Sequence, residues 1–128
     1  MEVINIEPTQ KTPKVYFNKP DNVLEIEGRS IPENSTEFYK PIYEWLDAYV
    51  ESPNAETTFK FNLAYFNTSS SKCILDILRK LEKLTINGNN AKVIWCYEED
   101  DEDMMEAGED YQRIVKIPIE LMEIPEED

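Results

Sequence analysis

The chain has 128 residues, of which 41% are hydrophobic, a length and composition that suit one folded domain with a real core. Its 13 basic and 27 acidic side chains leave a formal charge of -14, which disfavours nucleic acid and anionic membrane surfaces, since both need clustered Lys and Arg. Histidine is absent and only 3 glycines are present, which removes the usual neutral-pH general base, the commonest zinc ligand and any Gly-rich phosphate loop.

The start, MEVINIEPTQKTPK, lacks a basic stretch followed by an apolar run, so no signal peptide is expected. No stretch approaches the roughly 18 apolar residues that span a bilayer. Cys73 and Cys96 are the only cysteines and are not spaced as CxxC; both read as small buried residues of a reducing compartment. The expectation is a cytoplasmic protein.

In chain order, Val3 to Ile6 can add a strand or lie along an edge. Val15 to Phe17 and Val23 to Ile26 are β-rich runs around the turn-forming Asn18 to Asn22, and they read as a hairpin. Phe38, Ile42, Leu46 and Tyr49 share one helical face, with Asn34 and Glu37 as a capping box. Pro41 predicts a kink in that helix, or a restart near Phe38, before Ser52-Pro53-Asn54 ends it. Thr57 to Phe66 is the clearest strand. Phe59, Phe61, Leu63 and Tyr65 alternate with Thr58, Lys60, Asn62 and Ala64, so one face is apolar and the other wet.

After Asn67 the period changes. Ile74, Ile77, Leu78, Leu81 and Leu84 form a helical stripe that stops at Asn87-Gly88-Asn89-Asn90. Lys92 to Tyr97 is another strand. The carboxylates of Glu98 to Glu109 gather where a helix would begin, with Gly108 as its stop. Ile114 to Ile119 reads as the last strand, and the terminal PEED as fraying. Strands alternating with helices imply a small mixed α/β sheet with helices mainly on one face.

Chemistry gathers at Asn67-Thr68-Ser69-Ser70-Ser71, four adjacent hydroxyls behind an amide at a strand-to-helix junction. One reading is plain helix capping, because such side chains accept hydrogen bonds from the first free N–H groups. The other is a phosphorylation switch: unpaired N–H groups and the positive dipole end suit a phosphate at a helix start. Ser69-x-x-Lys72 matches the SxxK pattern of acyl-transferring serine enzymes, but the companion SDN and KTG motifs are missing. The acidic run does not fit a calcium loop, since position six from Asp100 or Asp101 is Met105 or Glu106 where glycine is needed. No metal or cofactor is expected.

Three stretches, Leu24 to Tyr49, Phe61 to Lys72 (FNLAYFNTSSSK) and Val93 to Tyr111, resemble the SiaC family of bacterial regulatory phosphoproteins. With the spacing between them, the resemblance covers nearly the whole chain. It implies a STAS-like fold and a non-enzymatic signalling role. By resemblance, Thr68 of the NTSS segment is phosphorylated by a serine/threonine kinase of the anti-sigma-factor type and dephosphorylated by a PP2C-type phosphatase. Asn67, Ser69, Ser70 and Ser71 would flank the site and cap the helix. The unphosphorylated form would bind and activate an effector such as a diguanylate cyclase, favouring cyclic di-GMP synthesis and biofilm. The alternative is an unmodified acidic adaptor that docks a basic protein partner.

Overall fold

The computed structural model describes residues 1–125. Strands β1 (Ile4–Ile6), β2 (Lys14–Asn18) and β3 (Val23–Ser30) are followed by helix α1 (Ser35–Glu51) and strand β4 (Glu56–Phe66). Helix α2 (Thr68–Ile86), strand β5 (Asn90–Glu98), helix α3 (Glu102–Ile114) and strand β6 (Ile119–Ile124) complete the chain. The six strands form one sheet in the order β1-β2-β3-β4-β5-β6. β1, β2 and β3 pair antiparallel, and β3 to β6 run parallel.

That order explains where the helices lie. Each parallel strand is added beside the previous one in the same direction, so right-handed crossovers return every helix to one face. Register then stacks the core in rows. Phe17, Leu24, Phe59, Val93 and Ile119 form one row; Val15, Ile26, Phe61, Trp95 and Leu121 form the next. Against these rows α1 sets Ile42, Trp45 and Leu46, and α2 sets Ile74, Ile77, Leu78 and Leu81. Phe17 meets Trp45 at 5.0 Å between ring centroids, and Trp95 meets Tyr111 of α3 at 5.4 Å. The other face carries Tyr16, Glu25, Lys60, Ile94 and Glu120 in register, the wet side that Lys60 and Asn62 foretell. Cys73 and Cys96 are buried free thiols.

Four details differ from the sequence reading. First, α1 does not restart near Phe38: it is one helix containing Pro41, whose ring is exposed. The Glu37 carbonyl that loses its partner lies on the solvent side, where water can satisfy it. Second, the alternation of β4 breaks. Gly28 pairs with Leu63 and Arg29 with Tyr65, so Ala64 is an extra residue. Gly28 has φ +117°, a conformation that favours glycine. The bulge turns Tyr65 out to 52% exposure and brings Phe66 onto Trp95 at 6.1 Å.

Third, Gly108 does not stop α3 but lies buried inside it. An added Cβ would sit 2.5 Å from Trp95 Cδ1 and 2.7 Å from Leu121 Cδ2. The absent side chain lets the Trp95 indole N–H donate to the Met104 carbonyl at 2.9 Å. Fourth, the helix therefore runs on to Ile114, and the last strand is Ile119–Ile124 in place of 114–119. The fraying expected of PEED falls on residues 126–128, outside the described residues.

The α2 terminus behaves as its Asn-Gly-Asn signal requires. Gly88 has φ +85°; its N–H donates to Thr85 O at 3.0 Å, and Asn89 N–H donates to Leu84 O at 2.8 Å. Nearby, Glu82 is 9% exposed and accepts from Arg79 at 3.3 Å and from the Lys116 backbone N–H at 2.5 Å, tying α2 to the α3–β6 connection.

Candidate functional site at the start of α2

Strand β4 ends at Phe66 and α2 begins at Thr68, with Asn67 as its N-cap. Asn67 Oδ1 accepts from the Ser70 N–H at 2.9 Å, and the Asn67 N–H donates to the Ser30 carbonyl at 3.0 Å. The cap is thus the amide; the three serines lie in the first turn and serve other purposes.

The structure sorts the four hydroxyls. Ser70 is fully buried; its Oγ donates to Ser30 O at 2.9 Å and lies 2.8 Å from Ser30 Oγ. Ser30 Oγ in turn lies 2.6 Å from the Tyr39 hydroxyl. Ser71 Oγ donates to the Thr68 carbonyl at 2.6 Å. Ser69 is exposed but engaged: its hydroxyl meets Ser35 Oγ at 2.6 Å and donates to Asn67 Oδ1 at 3.1 Å. Thr68 is exposed, and among the described residues its hydroxyl makes no hydrogen bond.

Sequence reasoning missed Ser30, Ser35, Tyr39 and Tyr111. They come to the junction through tertiary pairing, since Ser30 is the register partner of Phe66. Ser69 joins the start of α2 to the start of α1, and the Tyr111 hydroxyl donates to Ser71 O at 2.9 Å, adding α3. The one available signal was Ser30 itself, a hydroxyl closing a buried strand and therefore needing a partner.

Burial, partly offset by the hydrogen bond to Ser30, pushes the Tyr39 phenol from 10.0 up to about 12. Burial raises Tyr111 too. These hydroxyls are neutral hydrogen-bonding groups at any physiological pH. Charge at the junction is also informative. Helix α1 has Glu37 in its first turn and α3 has Glu102 and Asp103, whereas α2 has no acidic residue there. In a chain with 27 Asp and Glu residues, the first turn of α2 contributes no carboxylate to its own positive end.

The remaining candidates resolve simply. Ser69 bonds Ser35 and Asn67, so the SxxK pairing with Lys72 is not formed. The acidic run starts α3: Asp101 caps it, its carboxylate accepting from the Met104 N–H at 3.0 Å. No group of three His, Cys, Asp or Glu side chains among the described residues could hold a metal. No helix among them is long and apolar enough to cross a membrane.

The sequence profile of the SiaC family regulatory phosphoproteins matches residues 6–124, almost the whole chain and the entire sheet but for the first residues of β1. The chain belongs to the SiaC family. It is 28% identical over 121 residues to an uncharacterized protein of Pseudomonas aeruginosa strain UCBPP-PA14, covering 94% of this chain and 96% of that protein. Among solved structures it is similar to apo-SiaC of Pseudomonas aeruginosa, with TM-score 0.86 and 28% identity over 95% of this chain and 99% of the other. A second similar chain, with TM-score 0.89 and 27% identity over 94% of this chain and 99% of the other, comes from the complex of the diguanylate cyclase SiaD with its activator SiaC, also from Pseudomonas aeruginosa. The mixed α/β architecture is therefore the fold of that family, and membership makes this a regulatory phosphoprotein.

Proposed function

We propose that the protein is a phosphorylation-controlled binding switch in the cytoplasm, with Thr68 as the modified residue and no catalysis of its own. The observation that carries this is the sorting of the hydroxyls: Thr68 alone in the cluster is both exposed and unbonded. Its place as the first residue of α2 sets a phosphate beside free backbone N–H groups, in a first turn that carries no carboxylate of its own. A serine/threonine kinase of the anti-sigma-factor type would transfer the phosphoryl group to Thr68 Oγ1, and a PP2C-type phosphatase would hydrolyse it. Unphosphorylated, the protein binds and activates an effector. That a similar protein is the activator of a diguanylate cyclase supports a cyclase in that role.

The test is binding to the cell's own diguanylate cyclase, with cyclic di-GMP production as the second readout. Thr68→Ala is expected to bind and activate constitutively and Thr68→Glu to do neither. Equal activation by the two variants would remove Thr68 from the switch.

A second reading, an unmodified acidic adaptor for a basic partner, is favoured by one observation. Two shallow depressions meet at Ala64 and Asp101, and their linings include Glu27, Glu98, Asp101 and Asp103 with no Lys or Arg. It predicts no phosphate in cells and binding that weakens steeply with salt.

A further inference from the structure

The sheet ends in two edge strands, and they differ. β1 is 3 residues long; Pro8 follows it, and the Glu2 carbonyl before it accepts from the Trp45 indole N–H at 2.7 Å. Short edges of this kind resist further pairing. β6 is 6 residues long and contains no Pro, no Lys and no bulge.

Hydrogen bonding along β6 shows which of its backbone groups are free. Val93 N–H donates to Pro118 O at 2.8 Å and Glu99 N–H to Ile124 O at 3.0 Å, so the even-numbered residues face β5. Backbone direction alternates along a strand, so Ile119, Leu121 and Glu123 turn their N–H and C=O groups away from the sheet. Gln112 of α3 agrees with that alternation: its amide reaches around the edge and donates to Ile119 O at 2.7 Å. Pro125, next in the same alternation, has no N–H to offer. Between these two stops, the N–H and C=O groups of Leu121 and Glu123 have no partner among the described residues. Beside them Leu121 is half-buried and Met122 is 40% exposed.

A solvated edge guarded by charge is the plain explanation. The guard is selective. Glu120 pairs with Lys92 at 3.5 Å, but Glu123, Glu98 and Glu99 make no ion pair among the described residues. Glu98 is the register partner of Ile124, so these carboxylates gather at the open end of β6. A second copy of this chain would bring the same carboxylates to the same edge and no free cation. An extended chain carrying Lys or Arg meets them favourably, since opposite charges on neighbouring strands stabilise and like charges destabilise.

We propose that the free stretch of β6 at residues 121–123 is a docking site for an extended basic segment of a protein partner, which joins the six-stranded sheet as a further strand. Main-chain pairing with Leu121 and Glu123 supplies the attachment, and side chains supply the selection. Apolar residues of the segment lie beside Leu121 and Met122, and its Lys or Arg faces Glu123. The site does not depend on Thr68. β6 stands two strands from β4, whose end leads into α2, about 10 Å across the sheet at the usual strand spacing. Occupancy of one place leaves the other open.

The experiment follows backbone amides of the isotope-labelled full-length protein by NMR while a short peptide alternating Lys with Val is added. The same peptide with every backbone nitrogen methylated keeps the charge and loses the main-chain donors. Shifted signals and slowed hydrogen exchange are expected at Leu121 and Glu123. Binding is expected to weaken at least about tenfold with the methylated peptide, and about tenfold with Glu123→Lys. Glu44→Lys on the exposed side of α1, the charge-matched control, and Thr68→Glu are each expected to change it less than about twofold. No change at Leu121 and Glu123, or equal binding of the methylated peptide, overturns the proposal. Protection of these amides without peptide, growing with protein concentration, assigns the edge to a second copy and overturns it as well.

Discussion

Ser70 Oγ lies 2.8 Å from Ser30 Oγ and donates to the carbonyl of the same residue at 2.9 Å, with both side chains fully buried. Each hydroxyl has one proton. If Ser70 gives its proton to the carbonyl, Ser30 must donate to Ser70, and the Tyr39 hydroxyl, 2.6 Å away, must donate to Ser30. The chain Tyr39, Ser30, Ser70 is then fully used and holds the start of α2 on the end of β3.

Ser70→Ala cuts this chain and leaves the Ser30 hydroxyl without its acceptor. The expected loss is about 1–3 kcal/mol in urea unfolding, the usual cost of an unsatisfied buried polar group. Thr68→Ala touches no such network and is expected to stay within about 0.5 kcal/mol of wild type. Equal losses at the two positions would contradict the sorting of the hydroxyls.

Asn67→Ala removes the cap that satisfies the Ser70 N–H. A loss of about 1 kcal/mol is expected, within the range for N-cap deletions, and Asn67→Asp should recover most of it because aspartate caps equally well. Guanidinium titration of the three proteins checks both.

Gly108→Ala sets two effects against each other. Alanine improves helix propensity by about 1 kcal/mol. The new Cβ, however, would meet Trp95 at 2.5 Å and Leu121 at 2.7 Å. Overpacking of this kind costs about 1–3 kcal/mol, and moving Trp95 also breaks its bond to Met104 O. Net destabilisation with altered tryptophan fluorescence is expected; a more stable protein would show that the indole gives way freely.

Alkaline pH should unfold the protein through its buried phenols. Burial favours the neutral form of Tyr39, so its folded pKa, about 12, stands above its ordinary 10.0. The stability this contributes is complete below pH 10, and it is lost as pH rises through 12. Burial raises Tyr43 and Tyr111 in the same direction. Unfolding followed by circular dichroism, from roughly one pH unit below the ordinary phenol value upward, should be less steep in Tyr39→Phe than in wild type.

Much of this architecture was legible because local chemistry and tertiary packing agree. The Ile74 to Leu84 stripe, the Asn-Gly stop after α2 and the alternation of Phe59, Phe61 and Leu63 each point one way and are borne out. The reading failed where a residue's local preference yielded to its neighbours. Gly108 looks like a terminator until Trp95, 13 positions earlier, is known to need the space. Placing the helix end too early then drew the last strand forward onto Ile114. Tyr65 looked like core until the bulge at Ala64 shifted the register by one, which moves a side chain to the opposite face of a strand. At the site, the hydroxyl run marked the place, but its division of labour was hidden. Ser30, Ser35 and Tyr39 reach it only through the pairing of β3 with β4 and the packing of α1 on α2, contacts with no local signature in the sequence.

The central claim is tested most directly by intact mass and fragment mapping of the protein purified from its native cells under phosphatase inhibition. The account predicts one phosphate, localised to Thr68, and none on a Thr68→Ala variant expressed in the same way. A phosphate on Ser69 or Ser71, or an unmodified protein across growth conditions, would contradict it.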